Sequence, residues 1–220
     1  ELPAPEGAFM ALRELLKDVR PAAVPELPPL FGGAVGYLGY ETVREFEKLP
    51  EPKSGLTGAE SAFLITDEMI IFDNIHHTMM LSVCVRPEEY RTLRAAYDDA
   101  VRRIGELKLR LRQPPRIPAP VPQAEPRLKS NMSRDDYMDM VEKAKKHIYE
   151  GDIIQVVPSL KFPAEIDLPP LQLYRALRLI NPSPYTFYLK IGKRVLVGSS
   201  PETLVKLEDG AAVVRPIAGT

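Results

Sequence analysis

The residues best suited to chemistry lie near the end of the chain. Gly198-Ser199-Ser200-Pro201-Glu202-Thr203-Leu204 places a carboxylate directly after a proline, following the apolar run Val195, Leu196 and Val197. Arg215-Pro216-Ile217-Ala218-Gly219-Thr220 comes next and closes in a Gly-Thr pair. Between the two, Asp209-Gly210 is the residue pair of a two-residue β-hairpin. Neighbouring strands would then offer Glu202 from one turn and Gly219-Thr220 from the far edge. An acid beside an exposed backbone N–H and a hydroxyl suits a small anionic substrate.

Other chemistry-bearing residues have plainer accounts. The glycines of Phe31-Gly32-Gly33-Ala34-Val35-Gly36-Tyr37-Leu38-Gly39-Tyr40 invite a phosphate-loop reading, but no Gly-Lys-Ser/Thr closes the loop. Glycines in a strand or bulge that let another backbone approach are the better account. His76 and His77 sit at a turn without spaced partner ligands, so a solvated turn is expected rather than a metal site. Cys84 lies in an apolar run and reads as a small core residue. Gln155 interrupts Ile153-Ile154-Gln155-Val156-Val157, which reads as a buried strand. Two readings of it stand: a structural amide bonded to a neighbouring backbone, or a functional one.

Composition bounds the rest. The 220 residues are 45% hydrophobic and 27% charged, enough for one substantial domain or two small ones. A net charge of −1 argues against a nucleic-acid surface. A single cysteine rules out a disulfide within the chain and fits a reducing, cytoplasmic compartment. The apolar runs are strand-length, so no membrane span is expected. Glu1-Leu2-Pro3 and the ending at Thr220 both read as cuts in a longer protein.

The positioning elements follow from periodicity. Phe9, Leu12, Leu15, Leu16 and Val19 predict a helix over 9–19, stopped by Pro21. Runs 61–72 and 76–85 predict one hairpin turning at Asp73-Asn74. Pro87-Glu88-Glu89 predicts the start of a long helix. The prolines of 113–126 make that segment a link between 1–112 and 127–220. Ser133 with Asp136 predicts a capped helix carrying the stripe Tyr137, Met140, Val141, Ala144 and Ile148, ended by Gly151. Leu171, Tyr174, Leu177 and Ile180 predict a short helix, with Arg175 and Arg178 solvated. Asn181-Pro182-Ser183-Pro184-Tyr185 breaks it before a strand over 186–191; the turn reads either as a rigid connector or as a preformed wall for a small ligand. Strand pairs joined by short turns make α+β with antiparallel pairing the expected fold class.

Four of these stretches, in this order, resemble the chorismate-utilising enzymes, most closely anthranilate synthase large subunits: Gly151 to Ser159, Asn181 to Tyr185, Gly198 with Ser200-Pro201-Glu202, and Pro216 to Thr220. Phe31 to Tyr40 is similar to that family's N-terminal region. The resemblance implies two packed, mostly antiparallel β-sheets with outer helices, incomplete in this chain. Residues 1–112 then belong to the N-terminal region, and 127–220 form the first part of the chorismate-binding region. The implied reaction is the conversion of chorismate to anthranilate and pyruvate, the first step of tryptophan biosynthesis. Ammonia would come from a glutamine amidotransferase subunit. Mg2+ would be the cofactor, its ligands expected downstream of Thr220, with no metal ligand here.

The same resemblance assigns residues. Glu202 and Gln155 would be catalytic, Glu202 either moving a proton or orienting substrate. Relatives that add water have a lysine where Gln155 stands, so a neutral amide points to an amine nucleophile. Aminodeoxychorismate synthases often have an attacking lysine where Ala218 stands, so direct attack by ammonia is implied. Ala218, Gly219 and Thr220 would bind substrate. Pro184, Tyr185 and Thr186 would bind tryptophan as feedback inhibitor, Thr186 replacing the usual methionine. The alternatives are an aminodeoxychorismate or aminodeoxyisochorismate synthase, or a non-catalytic ligand-binding fragment. The 220 residues alone are expected to be inactive.

Overall fold

The structure is a computed structural model that describes residues 7–22, 24–50, 61–115 and 128–215. The described chain divides near residue 116 into two units, with Leu189–Leu196 counted in the first.

In the first unit, α1 (Ala8–Leu16) is shorter than its apolar spacing predicts, because the chain leaves the helix at Lys17 well before Pro21. Its N-terminal donors are met from a distance: the Glu45 carboxylate accepts from Ala8 N–H at 2.7 Å and Phe9 N–H at 3.3 Å. Glu45 ends a 3-10 turn, Tyr40–Glu45, and the Phe9 and Phe46 rings meet edge to face at 4.9 Å.

β1 (Gly33–Leu38) pairs antiparallel with β2 (Ser61–Thr66), Gly36 opposite Phe63. A Cβ at Gly36 would lie 2.1 Å from the Ala62 carbonyl oxygen, so this glycine is what lets the two backbones meet. β3 (Glu68–Asp73) pairs antiparallel with β4 (Thr78–Val83), Ile71 opposite Met80. The single run expected over 61–72 is therefore two strands with different partners, divided at Asp67. The turn at Asp73 stands as predicted: its Oδ1 accepts from Ile75 and His76 N–H, both at 2.9 Å. His76 and His77 are exposed there, and His76 Nδ1 lies 2.7 Å from Asp73 Oδ2.

Pro87–Glu89 forms only a 3-10 turn; the long helix, α2 (Leu93–Leu111), starts later. Thr92 supplies the reason, its Oγ1 accepting from Ala95 N–H at 3.1 Å as an N-cap. α2 packs on β4. Ala96 and Leu107 of α2 are buried, as are Ser82 of β4 and Thr42. Arg103 reaches from α2 to Glu68 at 2.7 Å and Asp67 at 2.6 Å. These bonds, Glu68 first, raise its pKa further above an already high value.

In the second unit, α3 (Arg134–Glu150) begins as its sequence predicts: Ser133 Oγ accepts from Asp136 N–H at 3.1 Å and donates to Asp136 Oδ2 at 2.6 Å. Gly151 ends it in the left-handed conformation. Tyr137, Met140, Val141 and Ala144 are half-buried along one stripe, but Ile148 is exposed. Asn131 and Lys161 exchange two hydrogen bonds, from Asn131 N–H at 3.0 Å and Lys161 N–H at 2.9 Å. α4 (Pro170–Ile180) carries Tyr174, whose ring meets that of Tyr188 at 5.9 Å.

β5 (Tyr185–Ile191) and β6 (Arg194–Ser200) pair across a Gly192-Lys193 turn. β7 (Lys206–Glu208) and β8 (Ala211–Val213) pair antiparallel. Asp209 and Gly210 both have positive φ, 50° and 78°, as the predicted two-residue hairpin requires. Among the described residues the strands thus form four two-stranded sheets and the chain has four α-helices, an α+β fold as expected.

The predicted strand over 153–157 is absent. Ile154 is 97% exposed and Val157 72%, and the segment meets no strand to pair with among the described residues. An apolar run becomes a strand only where a partner satisfies its backbone.

Candidate active site

Glu202 is half-buried in the turn that follows β6, three residues after Ser199. Its backbone is held by Ser200, whose Oγ donates to Glu202 C=O at 3.0 Å and accepts from Glu202 N–H at 3.4 Å. Pro201 between them has no N–H and a fixed φ, so the serine hydroxyl supplies the closure that a backbone bond would otherwise give.

The turn at Asn181–Thr186 lies against this one. Ser183 Oγ donates to Ser200 C=O in a short hydrogen bond and accepts from Tyr185 N–H at 3.1 Å. Thr186 Oγ1 donates to Ser183 C=O at 2.8 Å and lies 3.3 Å from Ser199 Oγ. Ser199 Oγ donates back to Asn181 C=O at 2.9 Å. Behind them Gly198 faces Phe187, whose Cζ a Cβ would meet at 2.3 Å.

Among the predicted residues, Pro184, Tyr185 and Thr186 are therefore brought beside the Glu202 turn. Pro184 and Tyr185 are exposed and Thr186 is half-buried. Gln155 sits in the irregular 153–157 segment with its side chain exposed, so no burial penalty demands a structural partner for its amide. Ala218, Gly219 and Thr220 lie outside the described residues.

Periodicity gave no sign of Ser183, Ser199 and Ser200 as linking groups. The signal available was local: serines flanked by prolines, the composition of turns closed by side-chain hydroxyls.

One grouping offers three possible metal ligands among the described residues, His147, Glu150 and Asp152, their ligand atoms within 4.8 Å of one another. All are exposed; His147 Nδ1 is taken up by Asp152 Oδ2 at 2.8 Å, and Glu150 faces Lys146 at 3.7 Å. Mg2+ prefers an all-oxygen shell rich in water. An imidazole already paired with one of two carboxylates does not fit it, and these residues are read as the ion pairs that close α3. No described helix is long and apolar enough to cross a membrane.

A family model described as chorismate binding enzyme matches residues 6–220. The chain belongs to the chorismate binding enzyme family. It is 41% identical over 215 residues to a probable anthranilate synthase component 1 of Schizosaccharomyces pombe, covering 95% of this chain and 44% of that protein. It is 41% identical over 206 residues to anthranilate synthase component 1 of Pseudomonas aeruginosa, covering 90% and 41%. The crystal structure of anthranilate synthase component I from Streptococcus pneumoniae is similar with a TM-score of 0.74 at 26% identity, over 91% of this chain and 46% of that one. The chain thus spans less than half the length of these relatives, and it shares the fold of the Streptococcus pneumoniae structure over 91% of its own length.

Proposed function

We propose that the protein carrying this chain converts chorismate and ammonia to anthranilate, pyruvate and water, as the chorismate-handling component of an anthranilate synthase. The observation that carries this reading is the 41% identity, over most of the chain, to proteins named anthranilate synthase component 1. The geometry supports it with a carboxylate, Glu202, on a turn whose backbone is tied down on both sides.

Reaction at the ring needs the hydroxyl to leave as water and the pyruvyl ether to leave as pyruvate. Glu202 is the group for the first task, either donating a proton to the leaving oxygen or orienting the ring that bears it. Gln155 is a neutral amide and cannot take a proton from water at neutral pH, so its presence suits ammonia, which needs no base. Ala218 offers no nucleophile, so the nitrogen attacks directly; Gly219 and Thr220 bind substrate through backbone N–H and hydroxyl. No described residue set fits Mg2+.

The ammonia source is a glutamine amidotransferase partner, the compartment is the cytoplasm, and tryptophan is the inhibitor, bound along Pro184, Tyr185 and Thr186. Thr186 Oγ1 already donates to Ser183 C=O, so it offers the inhibitor a methyl rather than a donor. Residues 1–112 act as the N-terminal region and 127–220 as the first part of the chorismate-binding region.

The deciding experiment supplies the longest form of the protein with chorismate, Mg2+ and ammonium, follows pyruvate and identifies the aromatic product. Anthranilate with equimolar pyruvate is expected. An amino product that keeps its pyruvyl group would place the enzyme with the aminodeoxychorismate or aminodeoxyisochorismate synthases. Binding of chorismate with no product at all would leave a ligand-binding protein.

A further inference from the structure

The stretch 181–202 contains Pro182, Pro184 and Pro201, which remove three backbone donors where two turns face each other. Four hydroxyls replace them. Ser183 bridges Tyr185 N–H and Ser200 C=O; Thr186 bridges Ser183 C=O and Ser199 Oγ; Ser199 reaches Asn181 C=O; Ser200 closes on both backbone groups of Glu202. All four, and Glu202 itself, are half-buried. Every one of these bonds ends on backbone or on another of the four hydroxyls, and none ends on the Glu202 carboxylate.

We propose that Ser183 is a positioning residue for Glu202, acting through Ser200, so that the 181–186 turn and the 199–202 turn move as one piece. This rests on the reading of Glu202 as an active-site carboxylate. The physical case is that the Ser183 bond fixes the carbonyl of Ser200, two residues before Glu202. A rigid proline separates them, so a shift at Ser200 passes directly to the Glu202 Cα. Small misplacement of a reacting group costs rate more than binding, because the substrate makes its other contacts unchanged.

The test uses the complete enzyme with ammonium and compares Ser183→Ala, Ser183→Thr, Glu202→Gln and the Ser183→Ala/Glu202→Gln pair. Ser183→Ala is expected to lower kcat about tenfold with KM for chorismate within about twofold, and Ser183→Thr to restore most of it. In the Glu202→Gln background Ser183→Ala is expected to cost nothing further, since it acts through the group already removed. Thr186→Val, which keeps the side chain's shape, is expected to lower kcat about threefold and carries the same test if Ser183→Ala does not fold. Normal kcat in Ser183→Ala beside an impaired Glu202→Gln, or additive losses in the pair, overturns the positioning role alone. Full activity in Glu202→Gln overturns the reading of Glu202, and the positioning role with it.

Discussion

In the first unit, packed and ion-paired side chains hold the elements together; in the second, turns are tied by short side-chain hydroxyls bonded to backbone. All four buried side chains of the described chain, Thr42, Ser82, Ala96 and Leu107, belong to the first, where α2 lies on β4 and Arg103 clamps Asp67 and Glu68. The second has no buried side chain among its described residues, yet it carries the family motifs and the hydroxyl lattice around Glu202. Apolar burial is non-directional and sets overall stability. Hydrogen bonds between prolines set angles and distances, which chemistry needs and stability registers weakly. Substitutions in the two units should therefore separate into losses of folding and losses of rate.

The largest separation is expected at Glu202. Glu202→Gln in the complete enzyme should lower kcat by about 100-fold or more while the melting temperature stays within about 2 °C. Steady-state kinetics and calorimetry on the same sample check this, and unfolding in step with the loss of rate would break the contrast. Leu107→Ala should do the reverse, destabilising by about 2–3 kcal/mol in urea titrations with little change in KM. Gly36→Ala should cost about 2 kcal/mol, because the added carbon meets a backbone carbonyl that has no rotamer to escape by. Arg103→Met should cost about 1 kcal/mol, the loss of two ion pairs from a largely covered guanidinium to carboxylates that still meet water, and the loss should shrink in high salt.

The smallest effect is electrostatic and sharpens the picture of α2. Asp99 is held below the ordinary carboxylate range, by Arg102 first and then by the Tyr90 hydroxyl. Its folded pKa is depressed, so its contribution is present above about pH 4 and is lost as pH falls through the folded value. Tyr90 donates to Asp99 at 2.8 Å and is pushed up by that bond, so its contribution disappears only as pH rises through a folded value above the usual one. Between pH 5 and 3 the wild-type urea midpoint should fall more than that of Asp99→Asn.

What the sequence made legible was local. Ser133 and Gly151 marked both ends of α3, Asp209-Gly210 marked its hairpin, and Asp73 its turn, because each is decided within a few residues. Partner choice was not legible. The run 61–72 is continuous in hydrophobicity, yet β2 takes β1 and β3 takes β4, a division that only the paired strands decide. Residues 153–157 have a strand's composition and no partner strand among the described residues. Pro87-Glu88-Glu89 pointed to a helix start, and the structure begins the helix later, behind the Thr92 cap. At the site, resemblance pointed to Glu202 and the 181–186 turn. That they share a lattice is a fact of geometry, since hydroxyls seventeen residues apart carry no periodicity.

The Glu45 cap on α1 has a consequence for the order in which the chain folds. Nine residues are too few to hold a helix alone, since nucleation fixes several dihedrals before the first bond returns anything. The carboxylate that accepts from Ala8 and Phe9 comes from 37 and 36 residues away. Helix α1 is thus a late joiner: its amides should stay open to deuterium in pulse labelling until the Tyr40–Glu45 turn closes, although the segment precedes that turn in the chain.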